Sequence, residues 1–239
     1  MRLKLFIIPL LVVSLVTVVF QRIQTLNPHG SVLSNSKDTS TFNKKKYSTE
    51  KPGSLWWIVN KNRPLPAAYR PSALAVPRVT LRLDANEEQM QIRADIAPML
   101  EKLFEGANKS GHNLMLASGF RSDEYQRSLY DSYVEADGQE SADKYSAKPG
   151  TSEHQTGLAL DVCLIDSPCE LTGDFGKTPA GKWIASHAHE YGFIVRYLKD
   201  KKDITGYEYE PWHLRYVGIE LATELHQDNQ TMEEFFGIR

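Results

Sequence analysis

His154, Asp161, Glu210 and His213 are side chains that can hold a metal ion or move a proton, and they fall in two short segments of the chain. The first segment reads Ser152-Glu153-His154-Gln155-Thr156-Gly157-Leu158-Ala159-Leu160-Asp161. Leu158, Leu160 and Val162 alternate with Ala159, Asp161 and Cys163, so this stretch is expected to be a strand with apolar residues on one face and Asp161 on the other. Gly157 permits a turn into that strand, and His154 lies before the turn. The chain can therefore fold back and aim an imidazole and a carboxylate at one point. A catalytic zinc takes three protein ligands and keeps a fourth position for water, so a third ligand must come from elsewhere. Glu210-Pro211-Trp212-His213 supplies the candidate. Pro211 biases Glu210 to an extended conformation and removes one backbone donor ahead of an expected strand from Leu214 to Val217. A carboxylate three residues from a histidine can act as a base beside a metal held by that histidine only if the backbone kinks, because a flat strand sets the two on opposite faces.

Taken singly these residues carry little, since a lone histidine is more often a structural or surface residue than a ligand. His29, His112, His187, His189 and His226 are read that way, and His187 and His189 lie two apart on an expected helix and share no face. Cys163 follows Asp161 by two residues and lies about 7 Å along the strand from it. A fourth protein ligand there would close a catalytic zinc site. A disulfide to Cys169 across the Leu164 to Pro168 loop, or two unpaired thiols, is the preferred reading.

The elements that must position these groups follow from periodicity and caps. Met90, Ile92, Ile96, Met99, Leu100, Leu103 and Phe104 have helical spacing and predict a helix from Glu87 to Asn108. A strand over Asn113 to Ala117 and a helix over Ser122 to Glu135 come next. Thr178-Pro179 opens another helix that closes at Gly192, and Phe193 to Tyr197 resumes as a strand. Thr231 with Glu234 makes a capping box for a last short helix. Helices mixed with short strands at irregular spacing predict an α+β fold.

The remainder of the chain bounds the function. It has 239 residues, 41% hydrophobic and 24% charged, with 28 Lys+Arg against 30 Asp+Glu and a net charge of -2. That balance argues against a dedicated nucleic-acid binder. Arg2 and Lys4 precede an uncharged run from Leu5 to Phe20, so residues 1–20 read as a signal peptide or an uncleaved signal-anchor lying in the membrane, with no small-x-small cleavage site after it. The rest of the chain is expected to be exported to the cell envelope, anchored there or secreted. Residues 21–53 are polar and basic, without apolar periodicity, and read as a flexible linker. The folded domain is expected over residues 54–239, as a monomer.

Ser152-x-His154-x-x-Gly157-x-Ala159-x-Asp161, followed by Glu210-x-Trp212-His213, resembles both signatures of the VanY-type D-alanyl-D-alanine carboxypeptidases. These zinc peptidases include VanX-like dipeptidases and share a fold with the Hedgehog signalling domain. The similarity runs from Trp57-Ile58-Val59-Asn60-Lys61 through Ser118-Gly119-Phe120-Arg121-Ser122 and Tyr191 to Tyr197, and reaches Tyr216-Val217-Gly218. The resemblance implies a single Hedgehog/DD-peptidase-like domain, a small mainly antiparallel sheet flanked by helices. It implies one Zn²⁺ on His154, Asp161 and His213, Glu210 as general base, and Arg121 as the cation facing the oxyanion of the tetrahedral intermediate. An arginine placed only to cap the following helix would be unfavourable there, because a helix N-terminus repels cations. Ser152 matches a serine near the substrate carboxylate, and Gln126, one helical turn after Arg121, is expected to present an amide to the same pocket. Trp212 is expected to pack beneath the metal, with Tyr207 and Tyr209 as candidates for the cleft wall.

The implied activity is removal of the C-terminal D-alanine from peptidoglycan stem peptides outside the cell. Two alternatives stay open: an L,D-carboxypeptidase or endopeptidase using the same metal site, and a non-catalytic wall-binding module with structural zinc. A structural site needs neither Glu210 nor Arg121, and both are present.

Overall fold

A computed structural model of the chain describes residues 42–66 and 68–238. The expected signal or anchor segment, 1–20, and most of the expected linker lie outside the described residues. The elements in chain order begin with a short antiparallel ribbon, β1 (Leu74–Ala75) and β2 (Ile92–Arg93), followed by helix α1 (Ala97–Lys109). Strand β3 (Leu114–Ser118), helices α2 (Asp123–Asp137) and α3 (Gln139–Tyr145), and strand β4 (Ala159–Leu164) come next. Helix α4 (Pro179–His187), strand β5 (Phe193–Tyr197), the short helix α5 (Lys202–Thr205) and strand β6 (Glu210–Tyr216) lead to helices α6 (Ile219–Asp228) and α7 (Met232–Phe236). Strands β3, β4, β6 and β5 form, in that spatial order, one antiparallel sheet. Helices flank it, and the architecture is the expected α+β. Among the described residues no helix is long and apolar enough to cross a membrane.

The core lies between one face of the sheet and the helices. Leu100 and Leu103 of α1, Leu116 of β3, Leu160 and Val162 of β4, Ile184 of α4, Phe193 of β5 and Leu214 of β6 belong to one cluster, all fully buried. Each such side chain contributes on the order of 1.5–3 kcal/mol on burial. In β4 this uses Leu160 and Val162, which leaves Asp161 for the opposite face.

The caps act as their chemistry predicts. Ser122 Oγ accepts from the Tyr125 N–H at 3.1 Å at the start of α2, and Thr178 Oγ1 accepts from the Gly181 N–H at 3.0 Å at the start of α4. Thr231 and Glu234 form the full capping box of α7. The segment after α4 tightens into a 3-10 turn, Ala188–Tyr191, before Gly192 ends it.

Two expectations need correction. The helix predicted from Glu87 is a 3-10 turn (Glu88–Met90), then β2, and only then α1 from Ala97. Pro98 lies in the first turn of α1, the one place in a helix where its missing N–H is harmless, so helix cannot extend far upstream of it. Met90, Ile92 and Ile96 are fully buried all the same, reached from extended and turn backbone.

The second correction is the linker boundary. The compact unit begins at Asn43, ten residues ahead of the expected linker end at Gly53. Lys44 Nζ donates to the Phe235 carbonyl at 2.7 Å, and the Ile58 N–H donates to the Thr49 carbonyl at 3.0 Å. The Tyr47 ring meets Trp56 edge-on with centroids 5.1 Å apart. This stretch is held by turns and individual hydrogen bonds, which leave no apolar period in the sequence.

Cys163, at the end of β4, is joined to Cys169 by a disulfide with Cα atoms 5.2 Å apart. Both sulfurs are thereby removed from any competition for metal.

Candidate active site

Three adjacent strands place the site. In the register of the sheet Asp161 of β4 has Ser118 of β3 on one side and His213 of β6 on the other. His154 precedes β4 in a 3-10 turn, Glu153–Thr156, which ends at Gly157 with φ 67°. That left-handed conformation suits glycine, and a Cβ there would also press on Arg93 at 3.2 Å. The turn brings His154 back over Asp161, where His154 Nδ1 meets the Gly119 carbonyl at 2.6 Å. Gly119 packs so closely that a Cβ on it would lie 2.3 Å from the Gln91 carbonyl oxygen.

The question left by the spacing of Glu210 and His213 is answered by a bulge. Between Val195 and Tyr197 strand β5 advances two residues, whereas its partner β6 advances four, from Leu214 to Glu210. Across this irregular stretch the regular alternation of faces is broken, and Glu210 Oε2 lies 3.7 Å from His213 Nδ1. Pro211, which has no N–H to offer the ladder, lies inside the bulge.

His154, Asp161 and His213 offer ligand atoms that all lie within 4.8 Å of one another. Asp161 bridges the pair: Oδ2 is 3.3 Å from His154 Nε2 and Oδ1 is 3.1 Å from His213 Nδ1. All three residues are at most 4% exposed. Two imidazole nitrogens and one carboxylate, with the far nitrogen of His154 fixed by a carbonyl, fit a zinc site that keeps a fourth position open.

Charge is distributed unevenly in the metal-free chain. Burial pushes the Glu210 carboxyl up to about 7, and the negative charge of Asp161 adds to the rise against the pull of His213. Burial and the nearby Arg121 cation push His154 down to about 4. Burial acts to lower His213 as well, but its contacts with Asp161 and Glu153 overcome this and raise it to about 9. Asp161 is held well below the carboxylate range because its histidine and arginine neighbours outweigh its burial.

Arg121 lies at the site with Nη2 donating to Asp161 Oδ2 at 2.6 Å and 3.0 Å from His154 Nε2. Its Nε donates to Ser118 Oγ at 3.0 Å. The lone pair of His154 Nε2 serves one partner at a time, so with a metal held there Arg121 would keep its bond to Asp161 and lose the one to His154. Ser152, Glu210 and Arg121 line a cavity of about 310 Å³ together with Tyr207 and Trp212. Trp212 also packs against the main core cluster, whereas Tyr209 does not line this cavity.

Gln126 is not where the sequence suggested. It is 1% exposed and outside the cavity wall, with Nε2 donating to the Ala147 carbonyl at 2.8 Å and Oε1 accepting from Arg121 Nη1 at 3.4 Å. Its amide therefore steadies Arg121 from behind, because both ends are engaged within the protein. The cavity wall instead includes Leu129 and Tyr133 of α2 and Tyr145 of α3. Tyr133 lies four residues after Leu129, a helical spacing that does not distinguish a cleft wall from a core. Glu153 was also missed. Its signal was indirect: Arg196 and Arg215 interrupt apolar strands, and buried arginines require buried carboxylates.

Comparison with known proteins places this geometry. The family model for VanY, described as D-alanyl-D-alanine carboxypeptidase, matches residues 89–219. The chain belongs to the VanY family. A D-alanyl-D-alanine carboxypeptidase of Enterococcus faecalis (strain ATCC 700802 / V583) is 35% identical to this VanY-family chain over 213 residues, 85% of this chain and 73% of that one. Among solved structures, the LdcB LD-carboxypeptidase superposes with a TM-score of 0.74 at 42% identity, covering 79% of this chain and 88% of that one. A mutant of the vancomycin resistance D,D-pentapeptidase VanY from a VanB-type cassette, in complex with Zn(II), matches with a TM-score of 0.60 at 37% identity, covering 74% of this chain and 96% of that one. The chain is thus a carboxypeptidase of the VanY family with a site able to hold the metal found in a relative.

Proposed function

We propose that this VanY-family chain is a zinc carboxypeptidase that releases the C-terminal D-alanine of peptidoglycan stem peptides outside the cell. The observation that carries this reading is the bulge in β6, which sets Glu210 beside His213 at 3.7 Å on the same side as Asp161 and His154. A structural metal site would need no such base. His154, Asp161 and His213 would hold the zinc, which would supply Lewis acidity and bring the pKa of a water towards neutrality. Glu210, in the cavity wall 3.7 Å from His213, takes the proton of the attacking water and hands it to the leaving amine of D-alanine. The amide C–N bond breaks, leaving a carboxylate on the shortened peptide.

Arg121 donates hydrogen bonds to the oxyanion that develops on the scissile carbonyl, with Ser118 and Gln126 holding its guanidinium. Ser152, in the cavity wall, is the candidate partner of the substrate carboxylate. Arg121→Ala is therefore expected to lower kcat by about a hundredfold or more with a smaller change in KM. Steady-state kinetics on one peptide checks this, and a raised KM at unchanged kcat would make Arg121 a carboxylate clamp instead.

Export is supported by the Cys163–Cys169 disulfide, a bond at home in oxidising compartments, and by the charged-then-apolar order of residues 1–20. On this reading the N-terminal segment meets the membrane and a monomer acts on the wall. A second reading, L,D-carboxypeptidase action on tetrapeptide stems, is favoured by the likeness to LdcB at a TM-score of 0.74. Both reactions release D-alanine. Mass spectrometry of pentapeptide and tetrapeptide muropeptides after incubation with the protein separates them: loss of one alanine from the pentapeptide supports the first, trimming of the tetrapeptide alone supports the second, and no change in either defeats both.

A further inference from the structure

Behind the metal-ligand residues lies a buried group of four charges. Glu153, Arg196 and Arg215 are each at most 1% exposed, as is Glu233 of α7. Glu153 Oε1 accepts from Arg196 Nε at 2.9 Å and from Arg215 Nη1 at 2.7 Å. Arg196 donates through both terminal nitrogens to Glu233, at 2.9 and 2.6 Å, and Glu233 is also held by Asn60 Nδ2 at 3.1 Å. Arg215 Nη2 donates to the carbonyls of Leu55 and Trp57. Two cations and two anions balance, so the group is neutral as a whole, and each guanidinium is fixed at several points.

One oxygen stands outside this network. Glu153 Oε2 is buried without a hydrogen-bond partner, and it lies 3.8 Å from His213 Nε2, itself buried without one. The other nitrogen of His213, Nδ1, faces Asp161 and Glu210. A histidine that ligates through one nitrogen ordinarily donates from the other to a carboxylate or carbonyl, which fixes the tautomer and the ring plane. His154 has such a partner in the Gly119 carbonyl. We infer that Glu153 is the corresponding positioning residue for His213: it accepts the Nε2 proton, keeps the Nδ1 lone pair directed at the metal, and is held in place by Arg196 and Arg215. The short α7 acquires a purpose on this account, since Glu233 braces Arg196, which braces Glu153. This inference rests on the reading of His154, Asp161 and His213 as zinc ligands.

The test uses Glu153→Asp, which preserves the charge facing Arg196 and Arg215 but draws the carboxylate back from His213 by one methylene. Zinc affinity of the metal-free full-length protein, measured by competition with a chromophoric chelator, is expected to fall by about 10- to 100-fold while thermal unfolding of the metal-free form shows it folded. Wild-type zinc affinity in folded Glu153→Asp would overturn the role of Glu153 and leave the ligand assignment standing. Should that variant not fold, nitrogen-15 NMR of the zinc-loaded wild type decides: a slowly exchanging proton on His213 Nε2 is expected, and a proton on Nδ1 or a freely exchanging ring overturns the inference. A wild type that takes up no zinc would overturn the metal reading itself.

Discussion

Glu210→Gln is expected to lose D-alanine release by about a hundredfold or more, a barrier increase of about 2.7 kcal/mol, while zinc content and unfolding temperature stay near those of wild type. Gln has nearly the shape of Glu and keeps one acceptor oxygen, but it cannot take a proton from water. Glu210 is not a ligand candidate in the cluster of His154, Asp161 and His213, so metal should persist. Glu210 Oε2 lies 3.7 Å from His213 Nδ1, beyond hydrogen-bond reach, so Gln in its place breaks no hydrogen bond to that ring. The measurement is turnover on a pentapeptide ending in D-Ala-D-Ala, with metal analysis and thermal unfolding on the same preparation. Near-wild-type turnover by the variant would refute Glu210 as the base.

His154→Ala is expected to remove most of the zinc and to bring activity to background. Three protein donors are the usual complement of a catalytic zinc, and two buried donors leave too few. The loss should be local, because the Arg121–Asp161 ion pair at 2.6 Å and the disulfide of β4 remain. Asp161→Ala and His213→Ala are expected to give the same result, with a further stability cost for Asp161→Ala, since Arg121 then loses its buried anion. Elemental analysis finding full zinc in purified His154→Ala would sink the ligand assignment.

The sequence made the candidate ligands His154 and Asp161 legible because their chemistry is rare and their spacing is tied to one local device, a glycine turn feeding a strand. Two caps were legible for a similar reason: Thr178 and Thr231 each satisfy orphan N–H groups in their own first turn, a contact only three residues long. What the sequence did not carry were features set by partners far along the chain. Glu210 and His213 face one way because β5 and β6 advance by different amounts, and a bulge shows only in the register of two strands. Gln126 turned away from the cleft because the Ala147 carbonyl, 21 residues on, offers it a partner. The apolar period before α1 reported burial correctly but not conformation, since Met90 and Ile92 reach the core without helix. Lys44 is likewise held by a carbonyl of α7, 191 residues on.

In the proposed function His154, Asp161 and His213 hold the zinc on which carboxypeptidase activity depends. The most direct measurement is D-alanine release from stem pentapeptide and tetrapeptide by one preparation of the protein, assayed as purified, after metal removal by a chelator and dialysis, and after stoichiometric zinc is returned. Release is expected in the first sample, loss of it in the second and recovery in the third, with about one zinc bound per chain. Undiminished D-alanine release from the metal-free protein would contradict it.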